Sequence, residues 1–560
     1  MPVPPPLGAV PALPPCLLSE GAEPSSARAH RASDAQALLG SRSRHEREPP
    51  RSGIHPLVVL VVAAIVTPLI QAMAHANICP YWFAMVAFLP LVPLLDPGRW
   101  VRCWAWLGVQ AASTTALTTL WIGLYQPGYD DLILPLSAYA AVVLGLPAAL
   151  CCRAAASARA PVTGLLALPA GWALGEILAR RSLLGVNWAL VGLPLAEYSW
   201  LTPAVQLGGP ETLSALTLAV PVSLALLIRK APRWAIVAGM IQGPGVFVAL
   251  AAWSALTMGR VPGASAMFPV ALIQPNFPQG EAWTPDLRIK RLEFLDRLID
   301  ETRFSGTGLI VLPETAINGF VRFDDELTEW VKSVVVRTRR PLLFGSLDQE
   351  WTGSGPSNVA ILITPDGGVT TYRKNRLVPV SESLPEVGPL RSWLVSLRGG
   401  TEQFTPGVEP TVFALTGGLR LAAPICYEDT LPDLARAFAL AGARILISLT
   451  NTKRFDDTGL PDTHLRRARL SAAAVGLPML RCTNSGVTCQ IAADGQIVAR
   501  LTGSNSKDRG FSAAAVFAVP LRSVMTPYRR FGDKLPLLIL ASLVGVFALV
   551  ARRGNRRASG

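Results

Sequence analysis

The chain has 560 residues, a formal net charge of +13, only 16% charged residues and a mean hydropathy of +0.37. Soluble globular chains carry about 25% charged residues, so this composition excludes a single soluble enzyme and a disordered scaffold. It points to a membrane protein with room for a folded domain besides. Eight cysteines with no CxxC or Cys/His metal spacing exclude a disulfide framework, and the basic excess reads as cytoplasmic loop charge rather than nucleic-acid binding.

Residues 1–55 hold ten prolines in the first fifty and no apolar period, which predicts a disordered cytoplasmic tail. A spanning helix needs about 20 mostly apolar residues. From Pro56 to Leu95 no Asp, Glu, Lys or Arg occurs, and Asn77 and Pro80 divide that run into two predicted spans. Uncharged stretches at 103–129, 132–152, 160–175, 212–228 and 234–259 bring the membrane domain 56–259 to seven spans. Leu535–Ala551 adds an eighth, followed by a short cytoplasmic tail, 552–560. The stretch 182–210, broken by Gly and Pro and holding Glu197, reads as a re-entrant or interfacial segment.

Charge placement orients these spans. With the N-terminus in the cytoplasm, Arg99, Arg102, Arg153, Arg159, Arg229, Lys230 and Arg233 all fall inside, as does the Arg-rich C-terminus. Arg180 and Arg181 fall outside, against the rule, and are read as interfacial or facing lipid head groups. Seven spans then place residues 260–530 outside the cytoplasm.

That segment changes character. Short β-rich runs at Phe268–Gln274, Leu309–Leu312, Pro341–Ser346, Val359–Thr364 and Ala443–Leu449 alternate with helical stretches. In 286–303, Leu292, Leu295, Leu298 and Ile299 recur at helical spacing. Alternating strands and helices predict an α/β or layered α+β domain.

Three reactive side chains in this domain each follow a hydrophobic strand. They are Glu314 in Leu309-Ile-Val-Leu-Pro-Glu314, Lys374 in Tyr372-Arg-Lys374-Asn-Arg-Leu-Val-Pro, and Cys426 in Ala423-Pro-Ile-Cys426-Tyr-Glu428. A thiol that attacks a carbonyl, a carboxylate that carries the proton and an ammonium that stabilises the oxyanion are the parts for acyl transfer. Singly, each has a plainer reading: a buried small hydrophobe, a solvated loop carboxylate and a surface lysine.

The order Glu…Lys…Cys, in the settings LPE, KxxLVP and ICYE, resembles the carbon–nitrogen hydrolase (nitrilase) superfamily over roughly 261–520. Leu272-Ile-Gln-Pro-Asn-Phe-Pro-Gln with Trp283, and Arg481-Cys-Thr-Asn-Ser-Gly486 followed by Ala493-Asp-Gly-Gln, add to the likeness. With spans on both sides of that domain, the whole of 56–551 resembles the apolipoprotein N-acyltransferases. Gly185-Val-Asn-Trp188, Gly192-Leu-Pro194 and Gln206-Leu-Gly-Gly209 look like their membrane-side motifs.

The resemblance implies a polytopic helical membrane domain of about eight spans plus a nitrilase-like αββα sandwich. It implies Glu314 as general base, Lys374 as oxyanion stabiliser and Cys426 as nucleophile. Glu382, Tyr427, Glu428 and Trp283 become supporting or substrate-facing residues. It implies a phospholipid acyl donor, an apolipoprotein acceptor, no metal or organic cofactor, and a bacterial inner membrane with the catalytic domain on the periplasmic side. There are two departures: Val380-Ser381 stand just before Glu382 where the family has Phe-Gly, and Asn451-Thr-Lys-Arg-Phe455, which bears on substrate shape and the acceptor, stands where it has Asn-Asp-Ala-Trp-Phe. A membrane-tethered amidase, and a transport- or conjugation-type component with a binding-only domain, are the alternatives.

The remaining candidates read as structural. His464 opens the helical run Thr463–Ala474, and Cys151 and Cys152 end a span as packing residues or free thiols. Cys482 and Cys489 flank a turn in a compartment that permits a disulfide, and whether they pair is left open.

Overall fold

The computed structural model describes residues 56–556, except 77, 126–129, 183–184, 186–189, 258–265, 282–283, 303–305, 350–354, 385–387, 399–402, 505 and 522. The expectations for residues 1–55 and for Trp283 lie outside the described residues. Two six-stranded sheets carry the C-terminal half. The first has the order β12-β1-β2-β3-β4-β5, with β1 at Met267–Gln274, β2 at Leu309–Val311, β3 at Leu342–Asp348, β4 at Ser357–Ile363, β5 at Val369–Arg373 and β12 at Ala513–Pro520. The second has the order β11-β10-β9-β8-β7-β6, with β6 at Phe413–Ala414, β7 at Arg420–Ala422, β8 at Ile445–Thr450, β9 at Met479–Thr483, β10 at Cys489–Ile491 and β11 at Ile497–Arg500.

Each sheet has a parallel centre, β1-β2-β3 in one and β7-β8-β9 in the other, flanked by antiparallel strands. Period-two alternation decides which side chains enter which layer. Val270 and Leu272 of β1 face the second sheet, packing in one cluster with Leu421, Ile445 and Ile447. Ala271 and Ile273 face the other way, onto Leu292, Leu295 and Ile299 of the Pro285–Thr302 helix and Val331 and Val334 of Asp325–Thr338. Helices Pro432–Leu440 and Leu460–Val475 cover the second sheet through Phe438, Ala468 and Ala472. This is the expected αββα sandwich.

The N-terminal half is helical. Among the described residues five stretches are long and apolar enough to cross a membrane: Ile133–Ala155, Pro161–Arg181, Glu211–Ile228, Arg233–Ala255 and Lys534–Arg553. The apolar helix Pro56–His75 and the less apolar Trp100–Tyr125 lie beside them. The second expected span, ending at Leu95, is not a continuous α-helix. After one turn at Phe83–Val86, i→i+3 hydrogen bonds carry the chain to a 3₁₀ turn at Val92–Leu94. Pro80, Pro90 and Pro93 lack the amide hydrogens a regular helix requires. The stretch expected to be re-entrant is, where described, a series of short turns, Leu193–Glu197, Ser199–Leu201 and Thr202–Gly208.

Two charged clamps join the halves. Arg180, at the end of Leu168–Arg181, donates to Glu211 at 2.7 Å, Asp433 at 3.1 Å and Asp533 at 2.9 Å, and Arg181 also reaches Asp533 at 2.6 Å. Of the two readings of this pair, interfacial or facing lipid head groups, the second does not hold for Arg180. Three carboxylates from distant chain positions compensate it, which is what a buried guanidinium requires. The second clamp is on Leu460–Val475, whose Arg466 and Arg469 share Glu197 at 2.8 and 2.7 Å. Arg466 also donates to the His75 carbonyl at 2.7 Å. Leu470, Ala473 and Ala474 of this helix pack on Leu193, Leu201 and Val205.

Candidate active site

The three sequence-predicted reactive groups arrive from three strand ends. Glu314 follows β2 and Pro313, Lys374 follows β5, and Cys426 follows β7 through extended residues ending at Ile425. The Lys374 Nζ stands 3.6 Å from Glu314 Oε1 and 2.8 Å from Glu382 Oε1. Cys426 and Glu314 line the same cavity, and each weighs on the other's proton affinity. Asn358 Nδ2 on β4 donates to Glu314 Oε1 at 2.9 Å, and its carbonyl accepts the Lys374 amide at 2.9 Å. One β4 residue thus sets both the base and the ammonium.

Glycine is required at 345 on the neighbouring β3. A Cβ there would stand 2.7 Å from Glu314 Cα and 2.8 Å from the Pro313 carbonyl oxygen, so a side chain would displace the carboxylate's own backbone.

Cys426 begins the 3₁₀ turn Cys426–Thr430 with φ at +52°. A left-handed non-glycine residue costs about 1–3 kcal/mol and persists only where its surroundings over-determine it. Here Glu428 does so. Its Oε2 accepts the Ile425 amide at 2.8 Å, and its Oε1 accepts the Asn375 and Arg376 amides at 2.7 and 2.9 Å and the Tyr372 hydroxyl at 2.8 Å. Glu428 therefore lies behind the reacting groups and bolts the lysine loop to the nucleophile turn. On the other side His464 Nε2 lies 3.2 Å from the Cys426 carbonyl oxygen and 2.8 Å from Asp429 Oδ1. Asp429 in turn accepts from Ser448 at 2.7 Å and faces Arg481 at 3.5 Å.

Burial and charge set the proton inventory. Burial pushes the Cys426 thiol well up, Glu314 adds to this, and Lys374 opposes it. Burial also raises Glu314, against Lys374. Burial opposes the charge on Lys374, but Glu382 and Glu314 outweigh it and hold the ammonium above its ordinary value. Glu428 is lifted by burial to about 7 against its donors. Burial thus favours the neutral thiol, while the two carboxylates favour the charged form of Lys374.

These groups line a cavity of about 590 Å³ that also holds Asn358, Tyr427 and His464. Leu132, just before the Ile133–Ala155 helix, and Leu136 in its first turn form part of its wall, as do Arg454 and Phe455 of the divergent loop. Lys453 of that loop turns away to Asn276 at 2.9 Å and Asp456 at 3.2 Å. Glu382 lines the same cavity, accepting from Lys374 with one oxygen and from the Val378 amide at 2.8 Å with the other. Val380, two residues before it, has φ at +66°, a conformation a β-branched residue rarely adopts. The Tyr427 hydroxyl donates at 2.6 Å to the Gly185 carbonyl, so the residue after the nucleophile reaches the membrane-side motif.

Cys482 and Cys489 are both free. Cys489 pairs in register with Arg481, which puts neighbouring Cys482 on the opposite face, where its thiol meets the Ile273 and Val311 carbonyls. Asn358 was not singled out from the sequence, and His464 was read as structural. The Ser-Asn pair opening a predicted strand was the available signal for Asn358. For His464 no local signal exists, because its proximity to Cys426 spans 38 residues.

A family model for the carbon-nitrogen hydrolases matches residues 270–516, and one for the apolipoprotein N-acyltransferase N-terminal domain matches 68–223. An apolipoprotein N-acyltransferase from Chromobacterium violaceum is 30% identical over 526 residues, covering 87% of this chain and 94% of that one. Another from Azotobacter vinelandii is 29% identical over 462 residues, 80% of this chain and 86% of its own. A Nesterenkonia amidase of the nitrilase superfamily aligns in structure at TM-score 0.35 with 18% identity, over 50% of this chain and 95% of that one. Matched on both halves, and over nearly the full length of such relatives, the chain belongs to the apolipoprotein N-acyltransferase family.

Proposed function

We propose that this protein is a phospholipid:apolipoprotein N-acyltransferase of the bacterial inner membrane that works through a Cys426 thioester. One observation carries the reading: Cys426, Glu314 and Lys374 share a cavity whose wall includes Leu132 and Leu136 of a membrane helix. An acyl chain can reach the thiol without being drawn into water, which would cost about 0.8 kcal/mol per CH₂. A soluble amide substrate would need no such wall, so an amidase is the poorer fit.

In the first half-reaction Glu314 takes the thiol proton and the sulfur attacks the ester carbonyl of the phospholipid. Lys374 stabilises the oxyanion. Collapse breaks the ester bond, and Glu314 returns the proton to the departing lysophospholipid oxygen. In the second, the α-amine of a diacylglyceryl-cysteine attacks the thioester, Glu314 takes the amine proton, and the C–S bond breaks to leave an amide and the free thiol. Glu382 holds Lys374 in place, and Glu428 holds the turn that presents the sulfur.

The division of the chain follows the same reading: a cytoplasmic tail at 1–55, a membrane domain at 56–259, a periplasmic catalytic domain at 260–530, a closing span at 535–551 and a cytoplasmic end at 552–560. Its support is geometric. The catalytic half meets the membrane half at Leu132, Arg180, Gly185 and Glu211. Each lies at the end of its helix or loop opposite the basic positions Arg153, Arg159 and Arg229. The deciding experiment is the mass of the Cys426 peptide after incubation with labelled phospholipid. An added acyl group, absent in Cys426→Ala, supports the reading; a labelled Cys426→Ala variant or an unlabelled native protein refutes it.

A further inference from the structure

A second cavity of about 670 Å³ adjoins the nucleophile cavity, and the two share Tyr427, Pro379 and Phe404 as walls. Its chemistry differs. Where the first has Leu132 and Leu136, the second has Arg181 and Arg376, with Arg180 behind them. The three arginines are not equivalent. Arg180 is buried and spends its guanidinium on Glu211, Asp433 and Asp533. Arg181 bonds Asp533 through Nε, and its side chain is 54% exposed. Arg376 is 61% exposed, with Asp433 no closer than 3.9 Å.

The Arg181 fork is anchored through Nε to Asp533, and Arg376 is anchored through its backbone amide. Arg181 ends the Leu168–Arg181 helix on the side of the membrane domain that meets the catalytic domain, where a lipid's polar portion resides. The Arg376 amide donates to the Glu428 carboxylate that also holds the Ile425 amide, one residue before the nucleophile. The two arginines that break the charge rule differ: Arg180 is consumed by the clamp, whereas Arg181 lines the cavity with its side chain half exposed.

We propose that this cavity receives the phosphate of the acyl donor's head group, gripped between Arg181 and Arg376, while the reacting ester lies over Cys426. The inference rests on the acyltransferase reading and names the donor's second contact. In a glycerophospholipid only the glycerol separates the reacting ester from the phosphate, so a head-group site must adjoin the nucleophile cavity, as this one does through Tyr427. Guanidinium forks match phosphate oxygens in bidentate geometry. The acceptor, a diacylglyceryl-cysteine, has no phosphate, so the site serves the first half-reaction alone.

The test uses the purified full chain and two donors that differ only in the phosphate, dipalmitoyl phosphatidic acid and dipalmitoylglycerol. Single-turnover acylation of Cys426 is measured with each, and the ratio of the two rates is the readout. Both donors meet the same protein sample, so incomplete folding of a variant cancels. The Arg181→Gln/Arg376→Gln double variant lowers the ratio by roughly ten- to a hundredfold, as loss of charge-assisted hydrogen bonds does, and Arg181→Lys/Arg376→Lys recovers part of it. An unchanged ratio in the Gln double variant overturns the proposal. So does inorganic phosphate slowing the native enzyme with both donors alike, relieved in the variant while the ratio stays constant, because the occupant is then free phosphate. No acylation of native Cys426 by either donor or by any phospholipid overturns the acyltransferase reading itself.

Discussion

At the scale of single residues the site is a division of labour between carboxylates. Glu314 faces the thiol, Glu382 faces the ammonium and Glu428 faces backbone amides, and each prediction follows from those partners. Glu314→Gln keeps the shape but cannot carry a proton. Acyl-enzyme formation from phospholipid is expected to fall by about 10²–10⁴, read as labelled Cys426 in a single turnover. Because burial raises Glu314, the rate of acylation loses its base form as pH falls through a value above the ordinary carboxyl range. The charge on Glu382 contributes to that rise. Glu382→Gln is therefore expected to shift the acid limb of the pH–rate profile downward while acyl-enzyme still forms; an unshifted limb would show that the two carboxylates do not sense each other. In Glu428→Gln an amide nitrogen replaces an acceptor and faces an N–H donor. The cost is about 1–3 kcal/mol, seen as a lower melting temperature in detergent.

At the scale of elements, strand ends and one helix decide the geometry. β3 approaches the loop after β2 so closely that Gly345 has no space for a methyl group. Gly345→Ala is expected to move Glu314 and lower acylation by about 10²-fold, the usual penalty for a misplacement near 1 Å. A circular dichroism spectrum like that of the native protein would confirm that the fold is retained. The Leu460–Val475 helix connects the two halves: His464 lies against the nucleophile turn, while Arg466 and Arg469 hold Glu197 of the membrane half. Glu197→Gln leaves two buried guanidinium groups under-compensated, a loss of about 3–5 kcal/mol. Faster proteolysis between the halves would report it, and native-like resistance would show that apolar packing alone holds the joint.

At the scale of the whole molecule, the catalytic sandwich is seated on one end of a helical membrane domain, and its cavity borrows part of its wall from a membrane helix. Basic loops lie at the opposite end. Reporter fusions at positions 400 and 557 are expected to report opposite compartments; the same compartment for both would refute the proposed topology. The candidate trio of Glu314, Lys374 and Cys426 was legible because each member follows a hydrophobic strand. Strand ends in a layered sheet converge on one edge. Asn358 and His464 were not legible because their roles depend on which strand neighbours which and on how far a helix reaches back.

The sequence by itself determined what depends on neighbours along the chain. Apolar length marked the membrane helices, a short β-rich run marked β1, and Glu314, Lys374 and Cys426 stood in their local settings. Only the tertiary structure decided what depends on approach across the chain. Prolines at 80, 90 and 93 turned one apolar run into a series of turns, a balance of hydrogen-bond loss that apolar length does not record. Arg180, a violation of the charge rule read as interfacial or facing lipid head groups, is the partner of carboxylates 31, 253 and 353 residues away. Cys482 and Cys489 stayed apart because strand register put them on opposite faces. The physical reason is common to all three: a buried charge, an amide without a partner and a side chain's facing are resolved by whichever groups the fold brings near, and chain distance carries no information about them.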